Sequence, residues 1–135
     1  MKTLYALLMT ALLLAGTAAH AEDPPPPGPT GPVYVDLGEP VMVNVYDQGV
    51  LHFVSVDVVA LVSDATHENT LQDYMTPIRH DLMMLYSSQD YPTLFQAETK
   101  RRLLAETLQV MQGILKKETG EPVVEEIFFN AFVIQ

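Results

Sequence analysis

The chain has 135 residues, enough for one domain and hardly for two. Its 17 acidic and 7 basic residues give a formal net charge of −10, which makes it a poor partner for nucleic acid. With no cysteine and no tryptophan, it excludes a disulfide framework, a thiol nucleophile, a cysteine-based zinc or iron–sulfur site, and the largest residue for stacking sugars or bases.

The first 21 residues read as an export signal. Lys2 precedes an apolar run from Leu4 to Ala15, and Ala19-His20-Ala21 supplies the small residues that a signal peptidase accepts, with Glu22 on the far side of the cut. The uninterrupted stretch from Leu4 to Ala19 is 16 residues, short of the roughly 20 that a membrane-spanning helix needs. The segment is a cleaved signal or a short uncleaved anchor, and in both cases the remainder lies outside the cytoplasm. Residues 22–32, EDPPPPGPTGP, hold six of the ten prolines. Proline fixes φ and removes a donor, so this linker favours polyproline II, at about 3.1 Å per residue. It is either a leader that keeps the cleavage site accessible or an arm that holds the domain at a distance.

Residues 33–135 form the domain. Val33 to Val45 is extended and broken by Gly38 and Pro40, and Asp47-Gln48-Gly49 is a turn signal. Leu51 to Val62 is a valine-rich strand. Its uniformly apolar face, Val54, Val56, Val58, Ala60 and Val62, is expected to meet the core. Its mixed face carries Phe53, Ser55, Asp57, Val59 and Leu61 and is expected to be half exposed near its start. From Thr70 to Ser87 the period becomes helical, with a stripe of Leu71, Tyr74, Met75, Ile78, Leu82, Leu85 and Tyr86. Pro77 inside it implies either an N-cap at Thr76 or a kink in one longer helix. Pro92 starts a short segment. A second helix is expected over Ala97 to Lys117, with Lys100, Leu103, Leu104, Thr107, Leu108, Met111, Ile114 and Leu115 as its stripe and Gly120 as its stop. Val123 to Gln135 reads as a last strand, apolar enough to be central or well covered. The order β-β-α-α-β gives an α+β fold: a small, mostly antiparallel sheet of three to four strands with two amphipathic helices on one face.

Nothing in this pattern argues for catalysis, and no cofactor or metal is expected. His67-Glu68 lacks the second histidine of a zinc-protease helix. His80 and Asp81, neighbours on a helix, are expected to point to different sides, and Glu125 and Glu126, neighbours on a strand, to opposite faces. There is neither a G-x-S-x-G elbow nor a glycine-rich phosphate loop. Lys100-Arg101-Arg102 reads as a solvated helix face, and the seven methionines read as core filler and signal.

Several stretches resemble one family in order and spacing. Met75-Thr76-Pro77-Ile78-Arg79-His80-Asp81-Leu82 is similar to the P-x-I-R-D-x-L helix of the FliL family of flagellar basal-body-associated proteins, with His80 inserted before Asp81. Leu85-Tyr86-Ser87-Ser88 resembles its L-L-S-S, Glu98-Thr99-Lys100 its E-G-K, and Val124 to Gln135 its closing V-x-x-V-x-F-T-x-F-V-V-Q. Tyr34 to Leu37 and Val41 to Asn44 resemble its opening motifs. The family's basic cytoplasmic tail and transmembrane helix are replaced here by Met1 to Thr3 and the run ending in A-x-A. The resemblance implies a stomatin-like fold, a homo-oligomeric ring, and a non-enzymatic periplasmic role at the inner membrane. There it would contact stator and basal-body components and support torque, swimming and swarming. On that reading Phe53, Ser55 and Asp57 are the candidate partner contacts; the competing reading of them is an ordinary solvent face. A reading from another class is a periplasmic module that binds a small ligand between Tyr46, Phe53 and the phenylalanines of the last strand.

Overall fold

The computed structural model describes residues 30–135. The expected export signal and most of the proline linker lie outside the described residues. One four-stranded antiparallel sheet carries three helices on a single face. Strand β1 (Val33–Asp36), β2 (Val41–Asp47) and β3 (Val50–Val62) come first. Helix α1 (Ala65–Asp73), helix α2 (Met75–Ser87), a 3₁₀ turn (Tyr91–Phe95) and helix α3 (Ala97–Thr119) follow, and β4 (Val124–Ile134) closes the chain.

Strand β3 is the spine. Along one edge it pairs with β2 over Val50–Val56 and with β1 over Val59–Val62, so these two strands lie end to end. The expected extended stretch is thus two strands, separated where Gly38 takes φ +84° and its N–H bonds the Asp36 carboxylate. The β2–β3 hairpin turns on Gln48 and Gly49, both at positive φ, the geometry that matches the twist of the strands. Along its other edge β3 pairs, among the described residues, only with β4.

The last strand is therefore an edge strand and not a central one. Its apolar residues are divided between two faces. Val124, Ile127, Phe129, Phe132 and Ile134 stand opposite the core-facing residues of β3, whereas Phe128, Ala131 and Val133 stand opposite its outward ones. Two register shifts, at Glu125 and Asn130, each add a residue to β4.

The inner face is valine-rich, and the helices seal it. Val54, Val56, Val58, Ala60 and Val62 are all buried as expected, with Val41, Val43 and Val45 beside them. The helical stripes supply Leu71, Ile78, Leu82, Tyr86, Leu103, Met111 and Leu115. Inside this core the Tyr86 hydroxyl lies 2.8 Å from Thr107 Oγ1, tying α2 to α3. Burial pushes the Tyr86 phenol up to about 12.

Four local expectations change. The helix before Pro77 starts earlier, at Ala65, where Asp64 caps the backbone N–H groups of Thr66 and His67. The break comes at Tyr74, three residues before Pro77, and Tyr74 rather than Thr76 occupies the cap position. A continuous helix would drive the Pro77 ring into the carbonyl four residues back. Ending α1 at Asp73 places Pro77 in the first turn of α2, where a missing N–H costs nothing. On α3, Thr99 rather than Lys100 is buried; Lys100 is exposed and its Nζ lies 5.3 Å from the Phe132 ring centroid. The methionines are not all filler: Met42, Met83 and Met84 are exposed.

Candidate functional site

Among the described residues, strand alternation and one-sided helix packing together leave the opposite sheet face bare. Phe53, Ser55, Asp57, Val59 and Leu61 of β3 point there, as their core-facing neighbours require. Across β3 the register sets Met42 and Val133 on either side of Ser55, Phe128 beside Val59, and Tyr34 beside Leu61. Met42 is 62% exposed, Tyr34 66%, Phe53 47% and Val133 44%, high values for large apolar side chains. Contiguous apolar surface of this kind marks an interaction site more often than chance exposure does.

The face has internal structure. Met42, Phe53, Ser55, Val133 and Gln135 line a depression of about 400 Å³. At the other end the Tyr34 and Phe128 rings lie 5.9 Å apart. Between the two ends sits Asp57, whose Oδ2 accepts from Asn130 Nδ2 at 2.7 Å. The bulge at Asn130 brings that amide onto the outer face, so the irregularity in β4 positions the carboxylate. Phe53, Ser55 and Asp57 thus lie in sequence along the centre of the face. Reasoning from β3 alone missed Met42, Tyr34, Phe128 and Val133; the alternation of Val41, Val43 and Val45 in β2 carried the signal for Met42.

The aromatic residues that could have lined one ligand pocket are separated. Tyr46, Phe53 and Phe128 face outward, while Phe129 packs edge-on against Tyr86 inside, with centroids 6.4 Å apart, and against Phe132.

A second cluster joins the start of α1 to the α3–β4 turn. His67 Nδ1 lies 2.6 Å from Ser63 Oγ and 3.2 Å from Asp64 Oδ2, and His67 Nε2 lies 3.3 Å from Glu121 Oε2. A protonated ring donates from both nitrogens, so the contact with Glu121 first, and the charge of Asp64 after it, raise the His67 pKa above its ordinary value against a smaller opposing effect of burial. The same turn holds Val123 at φ +62°, a strained region for a β-branched residue, with Val124 N–H donating to Pro122 O at 2.7 Å. A histidine whose folded pKa is raised stabilises the fold below its unfolded pKa and loses that contribution as pH rises through the folded value. Unfolding midpoints in urea are accordingly expected to fall modestly as pH rises from about 6 to 8. His67→Gln flattens that slope; an unchanged slope in the variant would remove His67 as its source. Glu121 is largely exposed, so the effect shrinks with added salt.

Two neighbour pairs differ from expectation. His80 Nδ1 and Asp81 Oδ1 are 3.0 Å apart at the surface, so the two side chains meet rather than diverge. Glu125 and Glu126 are both exposed, since the bulge at Glu125 breaks the alternation. Among the described residues no group of three or more histidine, aspartate or glutamate side chains has metal-holding geometry, and no helix is long and apolar enough to cross a membrane. The basic triplet on α3 is solvated and partly paired, Arg101 with Glu98 and Arg102 with Glu106.

Arg79 belongs to the P-x-I-R stretch of α2. Its Nη1 donates to the carbonyl oxygens of Leu37 and Glu39, which fastens the β1–β2 connection to the helix layer. That gives the arginine a structural role at a distance from the bare face. A family model described as Flagellar basal body-associated protein FliL matches residues 34–135. No curated protein matches the chain.

Proposed function

Because the chain belongs to the FliL family of flagellar basal body-associated proteins, we propose that it is a non-enzymatic accessory of the flagellar motor acting through its bare sheet face. The observation that carries this reading is the geometry of that face: large apolar side chains held outward by the register of β3, around an oriented carboxylate. Contacts of that kind suit a protein surface better than a reaction. In this reading residues 1–21 export the chain, with cleavage between Ala21 and Glu22 or retention as an anchor. Residues 22–32 hold the domain off the inner membrane on the periplasmic side. Copies of the domain associate in a ring beside the stator units and support torque in swimming and swarming. Phe53, Ser55 and Asp57 contact the partner.

Deleting the gene in its native host tests the reading. Swimming speed is expected to fall, and the loss to grow as the medium is made more viscous, with filaments still assembled. Normal motility at every load would overturn a motor role.

A further inference from the structure

We propose that the bare sheet face receives an amphipathic helix of another protein, with a lysine or arginine of that helix seated on Asp57 between two apolar contacts. The proposal deepens the motor reading by naming the chemistry of the partner at that face, and it rests on that reading for the face being a working surface.

The spacing supports a helix. Outward positions on β3 recur every second residue, about 6.6 Å apart. On a helix, residues four apart along one face are separated by about 6 Å. Ser55 with its flanking Met42 and Val133 forms one apolar station, Asp57 the charged one, and Val59 with Phe128 the next. A partner helix carrying apolar, cationic and apolar side chains at four-residue intervals meets all three in register. An added strand fits less well, because the free edge of β4 is interrupted by bulges at Glu125 and Asn130, a device that blocks edge pairing.

Charge identifies the partner as cationic and as a different protein. The outward face carries Asp36, Asp57 and Glu126, and none of the four strands contains lysine or arginine. Two copies of this face would set like charges against each other, and an anionic lipid surface would be repelled. Among the described residues the lysines and arginines lie on the helices; Lys116 and Lys117 end α3, and the other four are engaged. Arg79 holds the carbonyls of the β1–β2 connection, Arg101 and Arg102 pair with glutamates, and Lys100 sits over Phe132. Asp57 itself has capacity to spare: Asn130 occupies one of its oxygens, and an ionised carboxylate accepts several more hydrogen bonds.

The test uses the purified protein and synthetic helical peptides. One peptide carries leucine, lysine and leucine at positions i, i+4 and i+8. The second replaces the lysine with glutamate, and the third moves it off the stripe. The first peptide is expected to bind and to perturb the NMR signals of Met42, Phe53 and Phe128. Asp57→Asn is expected to weaken it about tenfold, and Asp57→Lys to restore affinity for the glutamate peptide. Equal affinity for the three peptides, or equal affinity of the wild type and Asp57→Asn, overturns the proposal. So does binding to phosphatidylglycerol vesicles in place of the peptide. These readouts are independent of motility: a deletion strain with a motor defect alongside a face indifferent to the lysine peptide would leave the motor reading standing and remove only this one.

Discussion

Ile78→Asp is expected to abolish the folded domain. Ile78 is fully buried on α2, in one core with Leu82, Tyr86 and the valines of β2 and β3. A carboxylate there has no partner: among the described residues every buried side-chain nitrogen and oxygen is already hydrogen-bonded within its own network. The charge must be desolvated, or the group must stay protonated at neutral pH, and either adds to the loss of a packed isoleucine. Losses above about 4 kcal/mol come from this kind of change, against a total stability of about 5–15 kcal/mol for a domain. Circular dichroism with heating should show no cooperative transition. A variant that melts like the parent would contradict the placement of α2 on the sheet.

Phe53→Asp is expected to have the opposite profile, a stable domain that no longer supports the motor. Phe53 is 47% exposed on the bare face, and its backbone is tied to Gln135 through paired bonds, 2.8 Å each way, which the substitution leaves intact. Loss of a half-exposed ring and the weaker strand propensity of aspartate together amount to about 1 kcal/mol. At an interface the same change removes an aromatic anchor from beside the Met42–Val133 depression and buries an added charge. Central aromatic residues of this kind carry about 2 kcal/mol or more of binding. A melting curve close to that of the wild type, with partner binding lost, is the expected combination.

Much of the fold is legible in residue spacing, because core-facing positions obey periods that only regular structure satisfies. The valines of β3 alternate, Ile78 and Leu82 recur at helical spacing, and Gly120 ends α3 at φ +86° as a stop residue does. Helix α1 was legible only from Thr70 onward: Leu71 is the one buried residue of its nine, so its first turn shows no stripe, and the sign of its start was Asp64 as a cap. Composition misplaced β4 as well. An apolar strand reads as central, but here the apolar residues serve two faces, and two bulges shift which side each residue takes. The bare face itself was half legible. Alternation places Phe53, Ser55 and Asp57 on one side of β3, but only the long-range register brings Tyr34, Met42, Phe128 and Val133 beside them.

We propose this face, rather than a pocket, as the part of the protein that serves the motor. The most direct measurement is swimming speed against medium viscosity in a strain whose only copy of the gene encodes Phe53→Asp, with the variant's folded state verified by its melting curve. The expected result is a folded protein at wild-type abundance and a motility loss that grows with load, matching the deletion strain. Wild-type motility at every load from that folded variant would contradict it.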